Sequence, residues 1–189
     1  AQDVGADDDL DSDPDPSTGV TIAYTASDNV DATHIDAGIY IPQEIDVEGS
    51  GNSINDGDTS PSQTDDTQFG NAIISGATQH TFTILNSGDA TLNLTGSPIV
   101  DISGTHASDF TISAQPSSTN IAGHGGSETF SVQFSPTDIG LRTATISIAN
   151  DDTDENPYSF AVEGTGLGVP EMDVSGNSTA IFDGDSSPS

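Results

Sequence analysis

No cysteine and no lysine occur in these 189 residues, and Arg142 is the one strongly basic side chain. The first absence excludes a disulfide framework. The second excludes a lysine–asparagine isopeptide cross-link. With 31 acidic residues the formal net charge is −30, and such a surface repels nucleic acid. Aromatic residues make up 5% and hydrophobic residues 31% of the chain, which on composition alone also fits disorder. No apolar run approaches a membrane span, so no membrane insertion is expected in this segment. No signal peptide opens the chain, and a window from the middle of a secreted protein would lack one. No stretch shows apolar residues at a convincing helical spacing.

What is present is repetition. Glu44 to Ser62 reads EIDVEGSGNSINDGDTSPS, and Glu171 to Ser189 reads EMDVSGNSTAIFDGDSSPS; the two align without a gap at an offset of 127 residues. Glu, Asp, Val, Gly and Ile coincide, followed by Asp-Gly-Asp and Ser-Pro-Ser. A fixed period marks a tandem array, and this one is long enough for each repeat to be a whole domain. The expected organisation is a complete repeat at 43–169. Residues 1–42 are the tail of a preceding β domain, and 170–189 are the first strand and loop of the next repeat.

Alternation decides between folding and disorder. HTFTIL, ATLNLT, DFTISA, TFSVQF, ATISIA and YSFAVEG each place apolar residues at every second position. The expected core faces carry Phe82 and Ile84; Leu92 and Leu94; Phe110 and Ile112; Phe130, Val132 and Phe134; Ala144, Ile146 and Ile148; and Tyr158, Phe160 and Val162. NSGD, GHGGS, SPTDIG and NDDTDENP between them are turn signals. Short strands of this kind predict an all-β, immunoglobulin-like two-sheet sandwich. Burying one face per strand suffices for a sparse core, since each buried Phe or Ile contributes roughly 1.5–3 kcal/mol. Two further strands are expected upstream, at 20–25 and 34–41.

Residues 44–168 resemble the choice-of-anchor D repeat, a bacterial relative of the ASPM–SPD-2–Hydin immunoglobulin-like domains. PQEIDVEGSGNSINDGD, TFTILNSGDATLNLTG, SDFTIS, GLRTATISIANDDTDENPYSFAVEGTG and the restart VPEMDVSGN carry the likeness. It implies a large secreted, surface-anchored protein and no family-wide catalytic activity. Residues 3–41, through DDDLDSDPDPSTG and HIDAGIY, resemble the closing portion of an SdrD-like B domain. That likeness implies a partial transthyretin/Cna-B-like β segment and a calcium-binding family.

Three acidic clusters are candidate calcium sites, because calcium takes six to eight oxygens and closely spaced Asp residues in a loop supply them. The first is Asp7, Asp8, Asp9, Asp11, Asp13 and Asp15, with Asp9, Asp11 and Asp13 as the candidate ligands. It is not an EF-hand, since the twelfth position counted from Asp9 is Val20, where a Glu is required. The second is Asp56 and Asp58, with Asp65 and Asp66 nearby. The third, in the turn between the last two strands, is Asp151, Asp152, Asp154 and Glu155. That turn is expected at the pole where the domain begins, where calcium would stiffen the joint to the preceding domain. The bland alternative is a generally acidic, salt-adapted surface.

His34, His80, His106 and His124 show no ligand spacing, and no Gly-x-Ser-x-Gly elbow surrounds any serine. No enzyme is expected. Arg142 is expected to cap the core edge and pair with a carboxylate. The leading reading is a stalk or adhesin spacer, secreted or at the cell surface. Its partners would be neighbouring repeats of the same protein or identical subunits. Alternatives are a module binding surface glycans, an accessory domain of a secreted enzyme, or a filament subunit joined by strand addition.

Overall fold

The computed structural model describes residues 41–170 together with 172, 174–176 and 179–181. The strands expected at 20–25 and 34–41 lie outside the described residues, apart from Ile41, which is not in a strand. In chain order the first strands are β1 (Ile45–Gly49), β2 (Asn52–Ile54), β3 (Gln68–Ile73), β4 (Thr78–Asn86), β5 (Leu92–Asn93), β6 (Val100–Ser103) and β7 (Phe110–Ala114). There follow β8 (Asn120–Ile121), β9 (Gly126–Phe134), β10 (Gly140–Ile148), β11 (Tyr158–Leu167), β12 (Val174–Gly176) and β13 (Thr179–Ile181). A three-residue 3-10 turn, Ala107–Asp109, is the one helical element among the described residues.

Two sheets face each other. One is antiparallel, in the order β2-β1-β4-β9-β7; the other runs β3-β11-β10-β6. In the second sheet β3 pairs parallel to β11, and the remaining pairs are antiparallel. The protein is thus an all-β sandwich of immunoglobulin type, as the alternation predicts. Inward positions fill the space between the sheets: Phe82, Phe130, Phe134, Ile146, Phe160 and Val162 are all buried. Phe82 stacks on Phe130 at 5.4 Å and meets Phe160 at 5.7 Å, so the sheets interlock through aromatic side chains.

The departures from the expected core have local causes. Ile112 is only partly buried because β7 is the edge of its sheet. ATLNLT is not a full strand: β5 covers two residues, and Leu94 makes an isolated bridge to Asn150. Val47, Ile54, Phe69, Val100 and Ile121 join the core from segments whose alternation is too short to stand out.

The repetition in the sequence reappears in three dimensions. In the β1–β2 hairpin Val47 pairs with Ile54, Glu48 with Ser53 and Gly49 with Asn52. In the β12–β13 hairpin Val174 pairs with Ile181, Ser175 with Ala180 and Gly176 with Thr179. Each of these six residues lies 127 positions beyond its counterpart. The first hairpin turns through Ser50 and Gly51 at φ 53° and 75°. Two successive left-handed residues are what a tight hairpin with right-twisted strands requires.

The chain reaches the sandwich at one pole and leaves at the other. β1 starts opposite Asn86, the last residue of β4, beside the β10–β11 turn. β11 runs from that turn to Leu167, ten residues on. At about 3.3 Å per residue the two poles are about 30 Å apart.

Candidate functional site

The N-terminal pole is built around two buried asparagines. Asn86 and Asn150 are 0% and 1% exposed. Both continue the inward parity of a strand, Asn86 as the last residue of β4 after Phe82 and Ile84, and Asn150 just beyond β10 after Ile146 and Ile148. A buried amide at such a position must satisfy both its ends. The Asn86 amide donates to the Ala90 and Ile121 carbonyls, and its oxygen accepts from the Glu44 and Gly88 N–H groups. The Asn150 amide donates to the Ile148 and Glu155 carbonyls, and its oxygen accepts from the Asp152 N–H. The two loops are thereby fixed around the start of β1. The signal for both in the sequence is a polar residue at an inward position at or just past the end of a strand.

The incoming segment is strapped onto this pole. The Ile41 N–H donates to Asp89 Oδ2 at 2.8 Å, and the Asp89 N–H donates back to the Ile41 carbonyl at 2.8 Å. The Gln43 side chain donates to the Asp151 carbonyl at 2.7 Å. Gly88 lets the chain pass, since a Cβ there would stand 1.6 Å from the Pro42 carbonyl oxygen.

The predicted metal ligands divide into those the structure engages and those outside it. Asp9, Asp11 and Asp13 lie outside the described residues. Asp152 is 3% exposed, and its Oδ2 accepts from the Ile45 N–H at 3.1 Å, tying the first residue of β1 to the β10–β11 turn. Asp151 accepts from the Asn93 N–H and side-chain amide at 2.8 and 2.6 Å. Asp56 Oδ1 accepts from the Ser159 N–H at 2.7 Å, and Asp58 Oδ1 from the Ser60 N–H at 2.8 Å. For Asp154 the structure shows exposure in the turn. No three acidic or histidine side chains converge to hold a metal ion among the described residues. Asp151, Asp152, Asp56 and Asp58 accept hydrogen bonds from backbone and amide groups.

This gives the recurring Asp-Gly-Asp a physical role. The chain leaves β2 in one sheet and crosses to β11 in the other through these residues. The Gly57 N–H donates to the Ser159 carbonyl, the Ala161 N–H donates to the Asp58 carbonyl, and the Asp56 carboxylate receives Ser159. Tyr158 adds a hydroxyl donated to the Ile54 carbonyl; burial first, then Asp46, pushes that phenol upward in pKa. The motif sews one sheet to the other.

Beside the crossing lies a cleft of about 360 Å³, lined by Glu44, Asp46, Asp56, Glu155 and Tyr158 among others. Partial burial, then Glu44, Asp152, Asp56 and Asp154, pushes the Glu155 carboxyl up to about 7. Clustered like charge disfavours the ionised form of each member.

At the opposite pole Arg142, 14% exposed, places Nε 2.8 Å from Asp109 Oδ2, an ion pair by distance with the N–H directed off the oxygen. Asp109 is 2% exposed, and its Oδ1 also accepts from the Thr137 N–H and hydroxyl. The chain's one strong base therefore compensates a buried carboxylate that sequence reasoning did not single out. His80 stacks on Phe69 at 4.3 Å and donates to the Asp66 carbonyl, a packing role.

Among solved structures, the chain is similar to a protein of unknown function from Porphyromonas gingivalis W83, at 18% identity and TM-score 0.47, covering 66% of this chain and 47% of that one. It is also similar to the secreted serine protease VesC from Vibrio cholerae, at 20% identity and TM-score 0.42, covering 53% of this chain and 21% of that one. The VesB protease of Vibrio cholerae gives 15% identity and TM-score 0.38, over 52% and 29%. The chain thus spans less than half the length of each of these proteins. No curated protein matches it in sequence. The family model for the HYDIN/CFA65/VesB-like Ig-like domain matches residues 62–165, more than half of the chain, and the chain belongs to that family.

Proposed function

We propose that this chain is a non-catalytic spacer segment of an extracellular, surface-linked bacterial protein, built from repeats of the choice-of-anchor D kind. The observation that carries the reading is the position of the two ends. The chain is strapped in at one pole and leaves about 30 Å away at the other, so joined copies extend rather than fold back. The β12–β13 hairpin, in the register of β1–β2, supports a second copy beginning at Glu171. The dense acidity supports an exterior setting, where like charge keeps such a fibre dispersed.

Electron microscopy of the parent protein tests this. A beaded rod with a constant step of roughly 30–40 Å per repeat is expected. A compact particle without such a step, or hydrolytic activity in the purified chain, overturns the reading. Calcium stiffening of the upstream joint would need Asp9, Asp11 and Asp13 in addition to the N-terminal pole. Calorimetry of the full chain with calcium tests that part, and the absence of both binding heat and a melting shift removes it.

A second reading, glycan binding, draws on a shallow cleft of about 330 Å³ on the outer face of the four-stranded sheet. Thr59, Thr105, Thr143, Thr145 and Glu163 line it. Binding on a glycan array, lost on Thr143→Val with Thr145→Val, is the expected sign; a blank array ends it.

A further inference from the structure

One part of the surface breaks the polar pattern. The inward side chains of β11 are Tyr158, Phe160 and Val162, so Leu167 points outward, and the register sets it beside Ile73 of β3. Ile139 lies on the other side of the row: its Cγ2 is 3.8 Å from where a Cβ would stand at Gly168. Leu141 is paired with Thr165, two residues before Leu167 and on the same face. Ile73, Ile139, Leu141 and Leu167 are 48%, 62%, 56% and 41% exposed. They form a connected apolar row across three strands at the C-terminal pole. Asp138 borders it, with its carboxylate turned back to the Ile139 N–H. Large exposed apolar side chains grouped in this way mark a contact surface.

The tether names what covers it. Resting on the spacer reading, we propose that this row is the seat of a second repeat of the same kind, joined through Gly168–Pro170. Three residues span at most about 10 Å even when fully extended. Their counterparts in the first repeat are Ile41, Pro42 and Gln43, and those are strapped to that repeat's own loops. With the same strap in the second repeat, no free residue separates its N-terminal pole from Leu167. The two bodies abut at the apolar row.

The test continues the 189-residue chain after Ser189, the counterpart of Ser62, with a second copy of residues 63–170. The expected result is two folded repeats at a fixed angle by residual dipolar couplings. The Ile139 and Leu141 methyl groups should lose the broadening by a soluble paramagnetic probe that they show in the shorter chain. Ile139→Asp with Leu141→Asp should release the angle while both repeats melt as before. If the angle is fixed but the methyl groups stay accessible, or the double variant leaves the angle unchanged, the seat is wrong and the spacer reading survives. A joint that is mobile in the unsubstituted protein overturns both. Failure of the second body to fold shows that the occupant is not an identical repeat and overturns the seat. Concentration-dependent association of the shorter chain, abolished by the double variant, would assign the row to a separate molecule and equally overturn it.

Discussion

The β1–β2 and β12–β13 hairpins pair residue for residue, yet Val47 and Ile54 are 0% and 1% exposed while Val174 and Ile181 are 44% and 47% exposed. Pairing is therefore written into the hairpin itself, and burial is contributed by the body it meets. In the first copy β1 lies along β4, and Asp56 to Asp58 bind β11 across the sandwich. In the first copy the hairpin and the Asp-Gly-Asp that follows it close the domain because β4 and β11 receive them.

Substitution separates these contributions most sharply at the paired valines. Val47→Asp sets an unpaired charge in the core, at a cost of about 4 kcal/mol or more, and denaturant melts should show the sandwich largely unfolded. Val174→Asp should leave the same transition within about 0.5 kcal/mol. Equal losses at the two positions would break the distinction.

Asp152→Ala comes next. It strands the buried Ile45 N–H and should cost about 2 kcal/mol, with faster hydrogen exchange in β1 and no change in β12. Asp56→Ala removes one charge-assisted bond to Ser159 at an exposed position and should cost about 1 kcal/mol by thermal melting. If Asp56→Ala is instead neutral until calcium is added, the clasp account of the motif fails.

The smallest effect concerns pH. The folded-state pKa of Glu155, about 7, lies above its ordinary 4.5, so the folded domain holds that proton more tightly than the unfolded chain does. The resulting stability is fully present below pH 4.5 and is lost as pH rises through 7. Glu155→Gln should stabilise the domain by about 1 kcal/mol at pH 8, after allowance for screening by water, and by nothing at pH 4. A gain equal at both pH values would show that charge clustering at this pole is not the cause.

Much of this was legible in the chain. The alternation of β4, β9, β10 and β11 identified the core because each strand is nine or ten residues long with one face inward. The period of 127 residues carried over into hairpin register. The parallel pairing of β3 with β11 was not legible, because parallel contacts join segments remote in sequence and leave no local pattern. The acidic residues stand out in the sequence by their charge alone. Their use as acceptors depends on which backbone N–H groups the fold leaves without partners, and composition does not record that. Asn86 and Asn150 show the same gap: turn residues by type, they are buried organisers by position.

The placement of the two ends has a mechanical consequence. Tension applied to the two ends of the domain would pull β1 outward along its own axis at one pole and β11 outward along its axis at the other. Hydrogen bonds between antiparallel strands lie across the strand direction. A load along the strand therefore strains the β1–β4 and β10–β11 rungs together, in shear, instead of peeling them apart one by one. The topology thus sets the direction in which the domain resists being stretched.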